Sequence, residues 1–222
     1  MILRIKPSAL KGYMTPYRTG DEAFDRFSSC LVLSMSLFCP ELIVSGLNQY
    51  SKEIEAFTSI LRQGGVEAVT RLKGISLRGE PQAVTADMSE LPELIPLVVI
   101  ICATAKGACC ISVDSGDERA KEILRYSHEM ADCLGADSVM LYDRIMIKRK
   151  YSAMLPGGIV NTHHDPYIAG ACAVAGLASR DEISLTAPES LNRIYPRFWQ
   201  SYRTYGGDIY IKETTITTEE EL

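Results

Sequence analysis

Met130-Ala131-Asp132-Cys133-Leu134-Gly135-Ala136-Asp137-Ser138-Val139-Met140, followed by Asp143-Arg144-Ile145-Met146-Ile147, reads as the end of a helix, a glycine stop, a strand, a turn and a second strand. Glycine just past the last helical residue tolerates the left-handed backbone that ends a helix. The same order stands upstream in Ile60-Leu61-Arg62-Gln63-Gly64-Gly65-Val66-Glu67-Ala68-Val69 with Leu72-Lys73-Gly74-Ile75-Ser76-Leu77. It returns, cut short, in Tyr205-Gly206-Gly207-Asp208-Ile209-Tyr210-Ile211. The leading glycines at 64, 135 and 206 are 71 residues apart in both intervals. A fixed period marks a repeated supersecondary unit.

Each unit opens, upstream of its glycine, with a nearly uncharged helical stretch, at residues 27–38, 94–105 and 166–178. A helix that is apolar on every side belongs in the interior. The third carries Ala169, Gly170, Ala171, Ala173, Ala175 and Gly176, small residues that let neighbouring backbones come close. A short β-like segment follows each (41–44, 108–113, 182–185), and then a second helix with charge on one face. In the middle unit that helix spans 118–134, with Ile123, Tyr126, Ser127, Met130 and Leu134 at core spacing. Asp165-Pro166 is a helix start: the carboxylate caps free N–H groups and proline loses nothing at the first position. Pro196 opens a last helix through Arg197, Phe198, Trp199 and Tyr202. The expected fold is α/β, a pseudo-threefold repeat of α/β units with buried apolar helices and outer sheets. It forms a single domain over 1–213, with units at about 20–80, 90–150 and 160–212 and a flexible acidic tail at 214–222.

Composition excludes several classes. Hydrophobic residues make up 46% of the 222 and charged ones 23%, enough for a core without disulfide or metal staples. A net charge of −5 with no basic run argues against nucleic acid as partner, so any anionic ligand needs a local cationic cluster. Met1 to Lys6 alternates like a strand and lacks the apolar stretch and cleavage site of a secretory signal. The longest apolar runs fall well short of the ~20 residues that span a bilayer, so no membrane partner is expected. Seven cysteines without a C-x-x-C pair fit buried thiols in a reducing cytoplasm. His163-His164-Asp165 has no second ligand cluster, so a loop leading to a capped helix explains it, and no metal is expected. Leu155-Pro156-Gly157-Gly158 lacks the Lys-Ser/Thr ending of a P-loop. Phe198, Trp199, Tyr202 and Tyr205 read as packing.

Four segments, in order, carry a family resemblance. Asp87-Met88-Ser89-Glu90-Leu91-Pro92-Glu93-Leu94-Ile95-Pro96 is similar to D-M-x-x-x-P-D-x-x-P, with Glu93 in place of Asp. Arg119-Ala120-Lys121-Glu122-Ile123-Leu124-Arg125 matches R-x-K-E-x-D-R except at Leu124. Asp165-Pro166-Tyr167-Ile168-Ala169-Gly170 is similar to D-H-R-x-A-M, with Pro166 and Tyr167 at the His and Arg positions. Arg193-Ile194-Tyr195-Pro196-Arg197-Phe198-Trp199 is similar to K-S-F-P-x-F, with Arg for Lys. Together they resemble the C-terminal half of the 5-enolpyruvylshikimate-3-phosphate (EPSP) synthase family, the enolpyruvyl transferases of the shikimate pathway of aromatic amino acid biosynthesis. That family's domain consists of three repeated α/β units.

The resemblance implies transfer of an enolpyruvyl group from phosphoenolpyruvate to shikimate 3-phosphate, the 3-phosphoshikimate 1-carboxyvinyltransferase reaction, with no cofactor. Both substrates are polyanions, so the reaction asks for fixed cations and for groups that move protons. By resemblance Lys121 and Arg125 hold substrate anions together with Arg119, Glu122 handles a proton, Glu93 stands at the position of the family's base, and Arg193 keeps positive charge near phosphoenolpyruvate. Lys121 and Arg125 are four apart and share a helix face. In the family a second, similar lobe completes the cleft, so this half-enzyme is expected to need a partner half. The alternative is a non-catalytic remnant that binds an anionic metabolite or a protein through the open face, or self-associates into a homo-oligomer there.

Overall fold

The computed structural model of the chain describes residues 1–149 and 154–212, so the acidic tail expected at 214–222 lies outside the described residues. Three four-stranded sheets surround a centre of helices. The first sheet is built from β2 (Gly12–Met14), β3 (Leu42–Val44), β4 (Val66–Arg71) and β5 (Gly74–Gly79) in the order β2-β3-β5-β4. The second, from β6 (Thr85–Asp87), β7 (Ala108–Ser112), β8 (Asp137–Met140) and β9 (Arg144–Lys148), runs β6-β7-β9-β8. In both, the first two strands are parallel and the remaining pairings are antiparallel.

A parallel pair needs a crossover, and here the crossover is the inner helix. Helix α1 (Glu22–Phe38) joins β2 to β3 and α3 (Ile95–Thr104) joins β6 to β7. Helix α5 (Pro166–Leu177) likewise joins β10 (Gly158–Val160) to β11 (Ile183–Thr186). Every residue of α3 and α5 is buried, as their uncharged sequences require. Close approach is real: a Cβ on Gly170 would sit 2.8 Å from the Phe27 ring, and one on Gly176 would sit 2.5 Å from Ile5 Cγ2. Helix α1 begins earlier than the uncharged stretch, because Asp21 caps it at the Phe24 N–H and the acidic first turn suits the helix dipole.

The second helices α2 (Lys52–Gln63) and α4 (Glu118–Cys133) are amphipathic and lead into the hairpins β4–β5 and β8–β9. The residues that leave α2, α4 and α6 (Phe198–Thr204) with left-handed backbone are Gly65, Gly135 and Gly206. The register of the first unit therefore moves by one residue from Gly64, and its interval shortens to 70. The third unit departs further. In place of a long second helix it has a 3-10 turn at Pro188–Arg193 and the short α6, because Pro188 and Pro196 interrupt and Ala187 and Arg197 take positive φ. Its sheet runs β10-β11-β1-β12, where β12 is Asp208–Lys212 and β1 is Ile2–Lys6 from the other end of the chain. Residues after 157 thus supply only three of its four strands. Cysteines 30, 39, 102, 109 and 172 are buried as expected, whereas Cys133 is exposed at the end of α4.

The inner helices point the same way. Arg26 of α1 reaches Glu93 just before α3, and Tyr167 of α5 packs on Phe24 and Phe27 of α1. At the opposite end Leu37, Phe38, Thr104, Leu177 and Ala178 line one cavity of about 360 Å³. The positive ends of three helix dipoles therefore share one end of the molecule. No helix among the described residues is long and apolar enough to cross a membrane.

Candidate functional site

At that end α4 begins under an acidic cap. Asp117 accepts the Ala120 N–H at 3.0 Å, and Asp114 closes the turn before it by accepting from Gly116 at 2.8 Å. One turn on, Arg119, Lys121, Glu122 and Arg125 line a groove of about 620 Å³ together with Glu118, and Met140 and Tyr142 of the β8–β9 hairpin form its other wall. The helical spacing of 118, 121, 122 and 125 puts these side chains on one face.

Each cation already has a partner. Lys121 Nζ donates to Glu118 and, at 3.1 Å, to the Tyr142 hydroxyl, with the ammonium 4.7 Å from the centre of the Tyr142 ring. Glu118 and then Tyr142 hold the Lys121 ammonium above the usual lysine range, which makes it a fixed cation rather than a ready proton donor. Arg119 donates to Glu122 at 2.6 Å and to Asp165 at 2.7 Å. Arg119 and the Tyr126 hydroxyl hold the Glu122 carboxyl below the usual carboxylate range, so at neutral pH it is an acceptor. Arg125 donates to Glu129 at 2.9 Å and lies over the Tyr126 ring.

Of the residues singled out in the sequence, the structure brings Arg119, Lys121, Glu122 and Arg125 to this groove. Arg193 is not part of the groove's lining; it lies on another element and donates to the His164 carbonyl at 3.0 Å, one residue before the carboxylate that binds Arg119. Glu93 stands apart. It is buried on the 3-10 turn Pro92–Leu94 and accepts from Arg26 Nε at 2.5 Å. Tyr167 lies within electrostatic reach of both: burial, then the charges of Glu93 and Asp165, push its hydroxyl up to about 12. Sequence reasoning missed Tyr142, Met140 and Arg26. Arg26 had a signal, the one cation of α1, about one turn into the helix and directly before its uncharged stretch; Tyr142, at a hairpin tip, had none. It also missed what surrounds His163: the imidazole stacks on Tyr126 at 4.0 Å and meets Glu129 at 2.7 Å. Among the described residues no three His, Cys, Asp or Glu side chains are grouped to hold a metal ion.

Comparison with known proteins bears on this arrangement. The family model described as EPSP synthase (3-phosphoshikimate 1-carboxyvinyltransferase) matches residues 25–202. A 3-phosphoshikimate 1-carboxyvinyltransferase of Clostridium acetobutylicum is 28% identical over 181 residues, covering 81% of this chain and 40% of that protein. That of Brachyspira hyodysenteriae is 31% identical over 178 residues, covering 76% and 41%. Among solved structures, EPSP synthase from Acinetobacter baumannii superposes with a TM-score of 0.63 at 20% identity, covering 86% of this chain and 46% of that one. The enolpyruvyl transferase NikO from Streptomyces tendae gives 0.67 at 18%, covering 84% and 44%. The chain thus spans about 40% of the length of these curated relatives.

Proposed function

The chain belongs to the EPSP synthase family, and from that premise we propose that the α4 groove is the anion site of a half-enzyme in the 3-phosphoshikimate 1-carboxyvinyltransferase class. The observation that carries this is the convergence of Arg119, Lys121 and Arg125 with Glu122 on one groove at the positive end of the inner helices. In the reaction a hydroxyl of shikimate 3-phosphate loses its proton and bonds to C2 of phosphoenolpyruvate while C3 gains a proton. The tetrahedral intermediate then loses a C3 proton as the C2–O bond to phosphate breaks. Lys121 and Arg125 hold the anionic groups, Arg119 steers Glu122, and Arg193 adds charge from the neighbouring turn. Glu122, ionised, accepts a proton; Glu93 holds the position of the family's base. A second half, in this reading, closes the groove and excludes water, without which fixed charges act weakly. The cytoplasm is the setting we propose.

One observation favours the non-catalytic alternative. Lys121, Arg119 and Arg125 are each paired with a carboxylate of the chain itself, and Glu93 is buried against Arg26, so a ligand must displace existing partners. In that reading the open face binds an anionic metabolite, a protein or a second copy. Calorimetric titration with phosphoenolpyruvate and shikimate 3-phosphate, run beside a phosphate-release assay with and without a candidate second half, separates the two. Heat and released phosphate are expected. Heat without phosphate in any combination selects the remnant, and neither signal rejects the groove as a substrate site.

A further inference from the structure

Lysine on a helix surface normally extends its strongly hydrated ammonium into water. Lys121 does not: its side chain is only 11% exposed, while Glu118, which pairs with it, is 86% exposed and Tyr142, which covers it, is 73% exposed. Tyr142 occupies the tip of the β8–β9 hairpin, at 141–143, where small polar turn residues are the rule. The residue makes two contacts with the same ammonium, hydroxyl at 3.1 Å and ring face at 4.7 Å. The hydroxyl oxygen accepts from Lys121, so the phenolic hydrogen points elsewhere and is available to an acceptor in the groove. Lys121 has three N–H donors; Glu118 and Tyr142 take two.

We infer that Tyr142 is the specificity-determining residue of the α4 groove, selecting small organic anions with a flat or apolar body over bare inorganic anions. The anionic end takes the remaining Lys121 N–H and the Tyr142 O–H, and the body lies between the ring and Met140, which share that wall. This assignment rests on the proposal that the groove holds a substrate anion. It adds that the selecting group comes from the hairpin rather than from α4.

Two measurements on the full chain test it. The first needs no ligand: the rate at which an amine-reactive reagent modifies Lys121, read by peptide mass spectrometry. Tyr142→Ala should raise that rate several-fold, with Tyr50→Ala, another exposed tyrosine, as the unaffected control. The second is calorimetric titration of phosphoenolpyruvate and of inorganic phosphate. Tyr142→Phe should weaken both alike, by about threefold. Tyr142→Ala should further lower the preference for phosphoenolpyruvate over phosphate, by about fivefold. An unchanged modification rate, or an unchanged preference in a wild-type chain that does bind, overturns the role of Tyr142 and leaves the functional proposal standing. A wild-type chain that binds neither anion overturns both, even if Lys121 proves sheltered.

Discussion

Asp165 holds together two things that the sequence shows as separate, the start of α5 and Arg119 of α4. Its Oδ1 accepts the N–H groups of Tyr167 at 2.8 Å and Ile168 at 3.2 Å, and its Oδ2 accepts from Arg119 at 2.7 Å. The first role was legible, since Asp before Pro at the start of an apolar run is a helix cap. The second was not, because Arg119 lies 46 residues away and no spacing rule connects them. The same limit hid the Arg26–Glu93 pair, 67 residues apart. Lys121 and Arg125 could be grouped because both sit on one helix, where a four-residue spacing fixes the face. Asp165→Ala is expected to cost about 2 kcal/mol in urea denaturation, from the lost cap and from the loss of one of the two carboxylates that hold Arg119. Asp165→Asn keeps an acceptor for the helix and should fall between the two. An alanine variant as stable as wild type would show that α5 needs no cap.

At the scale of elements, the inner helices were readable because charge is absent from α3, from α5 and from α1 beyond Arg26, and absence of charge is a local property. The stretch after α5 was not readable in the same way. The period leads one to expect a second long helix there, and two prolines with two left-handed residues divide the segment into a 3-10 turn and α6. This part of the molecule also carries buried tyrosines. Burial pushes Tyr167, in the first turn of α5, up to about 12, and Tyr195, between the turn and α6, up to about 12 as well. In the unfolded chain both lose their protons near pH ~10. A group whose folded pKa is raised contributes stability that is complete below the unfolded value and is lost as pH climbs through the folded one. Stability measured by urea denaturation should therefore fall between about pH 10 and 12, and less steeply in a Tyr167→Phe, Tyr195→Phe double variant. A double variant with the wild-type slope would assign the alkaline loss to other groups.

Across the whole molecule, a strand from the first residues meets strands of the last unit in one sheet. Strand β1 lies between β11 and β12 and pairs antiparallel with both, so the last unit closes only when the first residues return to it. The period could not reveal this, because it reports order along the chain and not which strand a neighbour in space belongs to. The arrangement ties the units together mechanically. Leu3 and Ile5 are fully buried, Ile5 presses on Gly176 of α5, and α5 packs on both α1 and α3. Losing β1 uncovers α5, and losing α5 uncovers the other two inner helices, so one cooperative transition is expected. Arg4→Pro tests this at the backbone: proline in a strand paired on both sides removes a ladder hydrogen bond and should cost about 3 kcal/mol or more. Arg4→Ala serves as the control, since it removes the half-exposed side-chain contacts with Glu182 and with the hydroxyl and ring of Tyr210 but leaves the backbone ladder intact, and surface contacts of this kind contribute little. Thermal unfolding followed by circular dichroism should show a single transition in all three proteins, shifted down sharply only in Arg4→Pro. If Arg4→Pro instead melts in two steps, the later one at the wild-type temperature, the first two units stand without the third and the chain is not one cooperative body.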